Sequence, residues 1–211
     1  MAQSRWFPLA VAAFLAGFAV VLGLVWGTDQ IDQWRLASRY TARVGFPVFI
    51  TVYAASSLLA LWPGTITRTI ARYRRQWGLG FALTHGIHLI ALTGYNMLQG
   101  HTPDITTLIG GGGAYAILYA MALTSNDRSA RAMGRYWKWL HRVGIHWLWF
   151  IFAFSYAGRV ATLEDPGIAP YFLAIAIAAL ALRALVWMKR RQRHAPQPNP
   201  ACAPAGKSPK S

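Results

Sequence analysis

Six apolar runs, each about as long as a bilayer crossing, divide this chain of 211 residues. They cover roughly Phe7–Trp26, Phe46–Trp62, Gln76–Leu98, Ile105–Thr124, Tyr136–Ala157 and Pro170–Met188. A hydrocarbon core about 30 Å thick takes about 20 helical residues to cross. The runs therefore predict an all-α integral membrane protein, a six-helix bundle in one domain over 1–193. Composition agrees: 13% of the residues are charged, against about 25% in soluble domains. From His194 onward Pro, Ala, Lys and Ser predominate, which predicts a disordered tail over 194–211. The first run follows Arg5, as a secretion signal would. It is longer than a signal core and lacks a convincing small-residue cleavage site, so it reads as a retained span.

The formal net charge is +15, but the basic residues sit in clusters between apolar runs. That placement is a topology signal and argues against nucleic acid as a partner. Arg5, the links Arg68–Arg75 and Arg128–Arg135, and Lys189–Arg193 fall on one side of a six-span chain. Arg35, Arg39, Arg43 and Arg159 fall on the other, diluted by four acids. The rule puts the first set, both termini and the tail in the cytoplasm, with lipid around a multi-pass membrane protein. The link 27–45 has mixed charge and is expected to hold at most a short surface helix. Pro47 falls in the first turn of the second span, where proline is tolerated, and Pro63-Gly64 ends that span. Arg183, near the end of the sixth span, is expected to snorkel outward. Cys202 is the sole cysteine, so no intrachain disulfide or thiolate metal site can form.

Two spans carry histidines. The third, opening RRQWGLGFALTHGIHL, has His85 and His88. The fifth, opening YWKWLHRVGIHWLWF, has His141 and His146. Imidazoles inside a membrane are costly and imply either a function or a hydrogen bond to a neighbour. At about 1.5 Å per residue from the basic mouths, His85 and His88 lie roughly 15 to 20 Å deep, His146 about 17 Å and His141 about 9 Å. At about 100° per residue, His85 and His88 can face one cavity, whereas His141 and His146 cannot easily share a partner. By depth His146 matches the third-span pair best; His141 needs a tilted helix or a site nearer the cytoplasmic face.

We read these segments as walls of a buried cofactor site, most consistent with b-type haem. CxxCH is absent, so the haem would be held non-covalently. No acid lies within a span, which weakens a zinc site and a proton pump alike. Arg74, Arg75 and Arg142 are candidates to hold propionates, or serve only topology and lipid headgroups. Trp137, Trp139, Trp147 and Trp149 can flank a ring or form an interface belt and core. Gly110–Gly113 permits close approach of a helix or of a flat ring; tight helix packing is the expectation. His101 and His194 receive no role.

The motifs RR-x-x-GL with His88 downstream, WKWLHR with His141, and six spans in about 200 residues carry a resemblance over roughly 40–190. The chain resembles the ferric-reductase-like transmembrane family, closest to the haem-binding membrane subunits of bacterial protein-methionine-sulfoxide reductase systems. The resemblance implies an electron-transfer subunit of an oxidoreductase system, with His88 and His141 as ligands of haem iron. It implies a quinone or flavin-type electron donor, with FMN or quinone as a further cofactor, and a periplasmic molybdopterin reductase as acceptor. Such proteins usually carry another histidine about 13 residues after the LHR histidine. Phe154 stands there, so a haem using that ligand is lost or recruits His146 or His85. No nucleotide-binding glycine motif follows the last span, so electrons must come from a separate donor. Two other readings stay open: a six-span transporter or channel-like protein moving protons or metal ions, and a haem-free structural member of the family.

Overall fold

The computed structural model describes residues 6–162 and 167–193. Arg5, the acids Glu164 and Asp165, His194, Cys202 and the expected tail lie outside them. The described residues are helical almost throughout: α1 (Phe7–Trp26), α2 (Gln30–Leu61), α3 (Thr65–Arg72), α4 (Arg74–Leu98), α5 (Ile105–Leu123), α6 (Asp127–Met133), α7 (Arg135–Ala161) and α8 (Ala169–Arg193). Among them α1, α2, α5 and α8 are long and apolar enough to cross a membrane by length and composition. The helices α4 and α7, of 25 and 27 residues, are long enough but not apolar enough. They are the two that carry histidine pairs behind basic mouths, and those side chains lower their hydropathy.

Helix α2 departs from expectation. It runs 32 residues without a break, about 48 Å at 1.5 Å per residue, so the link 27–45 is mostly helix. Asp29 starts it, its carboxylate accepting from the Asp32 amide at 2.9 Å, which satisfies one of the free amides of the first turn. The Arg35 guanidinium pairs with Asp32 within the same first turns. Pro47 therefore sits inside the helix, not in its first turn. The helix stops where Pro63-Gly64 predicts, at Leu61.

The basic links also fold into short helices. Gly64 precedes α3, its amide donating to the Thr67 hydroxyl at 2.9 Å. Asn126 caps α6, accepting from the Ser129 amide at 2.7 Å. The two links meet: Arg75 Nη1 lies 2.9 Å from the Asp127 carboxylate, and its Nε donates to the Ser125 carbonyl. The second and fourth connections between the long helices thus share one end, as the charge count requires.

Helices α1, α2 and α4 pack closely on small residues; α7 and α8 pack together, with α5 against α7 and α2 against α8. Buried Ala12 of α1 faces Gly80 of α4, where an added Cβ would come within 2.8 Å of the alanine Cβ. The core joins Phe49 and Tyr53 of α2, Phe81 of α4, Leu118 of α5 and Leu148 of α7. The backbones of α4 and α7 stay apart, and the space between them forms the site.

Candidate functional site

Two cavities lie between α4 and α7, one toward each end of the bundle. The first, about 360 Å³, is bordered by His85 and His88 of α4, Arg39 and Arg43 of α2, and Phe152 and Arg159 of α7. The second, about 520 Å³, lies at the basic-link end and is bordered by His141, Arg74, Arg75, Arg142, Lys138 and Arg183. We call them the outer and inner cavity. Leu118 and Leu148, 3% and 4% exposed, border both.

The four span histidines are thus divided. His85 and His88 share the outer cavity, as their angular spacing predicts, with ring centroids 5.6 Å apart. His141 belongs to the inner cavity, in keeping with its shallower depth, and does not meet His88. His146 borders neither; its Nδ1 lies 3.2 Å from the Tyr53 hydroxyl. Phe154 is 65% exposed and stacks on Phe150, so that position faces away from both cavities.

His88 is held in a defined state. The buried Thr41 hydroxyl donates to the carbonyls of Ala37 and Ser38, at 2.7 and 3.0 Å. Its oxygen is then free to accept from His88 Nδ1 at 3.2 Å. With the proton on Nδ1, the lone pair is on Nε2, the arrangement of a metal-binding imidazole. His141 repeats this: Nδ1 lies 3.0 Å from the Trp137 carbonyl, Nε2 lies 3.4 Å from the Ser125 hydroxyl, and the Trp137 ring stacks at 4.1 Å. His85 is 9% exposed and caged by Phe81 and Phe152 at 4.4 and 5.2 Å. Its Nδ1 has no hydrogen-bond partner among the described residues.

The arginines follow the same division. Arg74, Arg75 and Arg142 all reach the inner cavity. Arg39, Arg43 and Arg159 do the same for the outer one, a set that sequence reasoning assigned only to topology. The i, i+4 spacing of Arg39 and Arg43, one above the other on a helix, was the available signal. Arg183 does not snorkel. Its guanidinium lies 4.5 Å from the Tyr53 ring centroid and donates to the Tyr53 carbonyl at 2.8 Å. An aromatic face and a carbonyl together satisfy the cation better than a longer reach would.

The aromatic set splits as well. Trp137 lines the inner cavity, Trp149 stacks on Tyr53 at 6.3 Å and donates to Ala176, and Trp139 is 64% exposed. The glycine run corrects an expectation. It lies on a π turn over Leu108–Gly112, and an added Cβ at Gly111, Gly112 or Gly113 would meet nothing within 4 Å. No helix packs tightly there; Gly111 instead borders the outer cavity.

An imidazole with its Nδ1 committed, as at His88 and His141, can turn its Nε2 lone pair to iron, at His141 by giving up the long 3.4 Å contact with the Ser125 hydroxyl, and clustered guanidiniums suit carboxylates. The open face at Gly111 on the outer cavity leaves steric room that the protein does not fill. This donor set fits haem. Among the described residues no three His, Cys, Asp or Glu side chains gather to hold a metal ion by themselves.

Comparison with known proteins places relatives beside this geometry. The chain is 27% identical over 202 residues to the protein-methionine-sulfoxide reductase heme-binding subunit MsrQ of Salmonella paratyphi B, covering 86% of this chain and 92% of that protein. The MsrQ of Salmonella newport gives the same figures. That of Salmonella dublin is 26% identical over 211 residues, covering 90% and 96%. No family model matches the chain, and no solved structure matches it significantly. The resemblance first carried by a few motifs extends along most of the chain, which is MsrQ-like.

Proposed function

We propose that this protein is the haem-binding membrane subunit of a protein-methionine-sulfoxide reductase system and passes electrons across a bacterial inner membrane. The observation that carries the reading is the pair of stacked cavities, each with an imidazole anchored through Nδ1 and its own arginines. Six spans with cytoplasmic termini put the inner cavity toward the cytoplasm and the outer one toward the periplasm. Haem b, when bound, supplies one-electron redox chemistry.

The chain's own residues do the rest. His88 and His141 offer Nε2 to iron, Thr41 and the Trp137 carbonyl fix their tautomers, and the two arginine sets anchor propionates. The apolar core keeps water from the space between. A quinone or flavin-type donor serves the inner side, and a periplasmic reductase accepts at the outer side. The transporter reading lacks a comparable observation: among the described residues the acid bordering a cavity is Asp127, exposed at the basic-link end and paired with Arg75.

The test is a reduced-minus-oxidised spectrum of the purified protein with haem quantified as the pyridine haemochrome. Two b-type haems per chain are expected, with His88→Ala and His141→Ala each losing one. A haem-free protein after expression with ample haem, or unchanged haem in both variants, overturns the reading.

A further inference from the structure

We infer that the outer cavity ligates haem iron from one wall only, through His88, and leaves the opposite side to a small uncharged ligand of the carbon monoxide class. The inference rests on the haem reading and concerns what this chain's residues leave undone.

Every imidazole in that cavity comes from α4. His85 and His88 are three residues apart, a rise of about 4.5 Å, on the same face of one helix. A flat macrocycle cannot lie between two successive turns of a single helix, so these two rings cannot take opposite sides of one iron. Of the two, His88 has its Nδ1 committed to Thr41, while His85 is enclosed by the rings of Phe81 and Phe152. His88 is therefore the ligand.

The facing wall of α7 presents Ile151, Phe152 and Ser155, none of which binds iron well. The histidines that could have answered from α7 are elsewhere. His141 lines the other cavity, and His146 is bonded to Tyr53 and lines neither. Phe154 faces outward. Two phenols remain, Tyr115 and Tyr156. Neutral phenols are poor ligands for ferrous iron, and the Tyr156 ring is packed against Phe46 and Phe172 at 5.1 and 5.4 Å. The reduced iron thus keeps one side free within a cavity of about 360 Å³. On the facing wall Ile151 and Phe152 are apolar, which suits a small uncharged molecule there, while the arginines of the cavity are taken by the propionates on the haem reading.

The probe is carbon monoxide, added to the dithionite-reduced full-length protein with haem quantified in the same sample. His141→Gln removes the inner ligand, so that the remaining haem reports on the outer cavity. The expected result is a carbon monoxide difference spectrum of about one equivalent per remaining haem, with a high-spin ferric signal in electron paramagnetic resonance. His88→Ala abolishes that outer signal. Ser155→His brings an imidazole to the facing wall and converts the haem to a low-spin form that no longer takes carbon monoxide. A haem that is low-spin and indifferent to carbon monoxide without Ser155→His overturns the inference while sparing the haem reading. Absence of haem from the unaltered protein overturns both.

Discussion

The Thr41 hydroxyl of α2 lies 3.2 Å from Nδ1 of His88 on α4, so one helix sets the protonation of a ring carried by its neighbour. Thr41→Val keeps the shape but removes the hydroxyl acceptor, leaving the Ser38 backbone as the ring's other hydrogen-bond partner. Second-neighbour changes of this type weaken metal binding about 10- to 100-fold. Haem titration of the outer cavity is expected to show that loss in Thr41→Val and recovery in Thr41→Ser. Equal affinity in all three proteins refutes the role.

Gly45 of α2 lies against the His85 ring, where an added Cβ would collide with Cε1 and Nδ1. Gly45→Ala overpacks a closed interface and is expected to destabilise the bundle by about 1–3 kcal/mol. Gly17, where an added Cβ meets nothing within 4 Å, is the control. Gly17→Ala gains the lower chain entropy of alanine, about 0.5–1 kcal/mol. Thermal unfolding in detergent separates the two, and the same sign of change in both contradicts the packing account.

Arg183 reaches inward to the Tyr53 carbonyl and ring. Hydrogen bonds to charged groups are worth about 1.5–3 kcal/mol, so Arg183→Ala is expected to lower stability by about that amount. Arg183→Lys restores only part, because an ammonium lacks the planar face that stacks on tyrosine. Full stability in Arg183→Ala, measured by thermal unfolding, would mean that the side chain serves only the membrane interface.

Arg75 makes two contacts of different worth, an exposed ion pair with Asp127 and a bond to the Ser125 carbonyl. Exposed pairs contribute about 0–1 kcal/mol. Asp127→Asn is therefore expected to leave unfolding nearly unchanged, while Arg75→Ala loosens the link that carries Ser125 beside His141. Limited proteolysis of the 124–127 link reads this out. Equal cleavage rates in the two variants would show that the carbonyl contact does not hold the link.

Each of the six apolar runs became a long helix, because run length and hydropathy act locally. The histidine pairs were legible for the same reason, as was the shallower placement of His141. Helix α2 was not, since a cap by Asp29 and helical continuation through Pro47 depend on packing against α1 and α4. The division of His88 and His141 between two cavities needed the spacing of α4 from α7, which no single segment encodes. The glycine run was misjudged because its flexibility is local but its neighbour is not. Arg183 was misjudged because a carbonyl on α2 and a tyrosine face outcompete the interface. Thr41 was missed altogether: a lone threonine in a helix gives no sign of the ring 47 positions away that it meets.

Two leucines, Leu118 and Leu148, are common to both cavities. Hydrocarbon of that kind offers no hydrogen-bond relay, so protons and ions are stopped there. Electron exchange needs only nearness of donor and acceptor. On the proposed reading this partition works as a one-particle filter: electrons passing from the inner to the outer cavity would leave their protons on the inner side, so each turnover would carry negative charge outward and draw on the membrane's own potential.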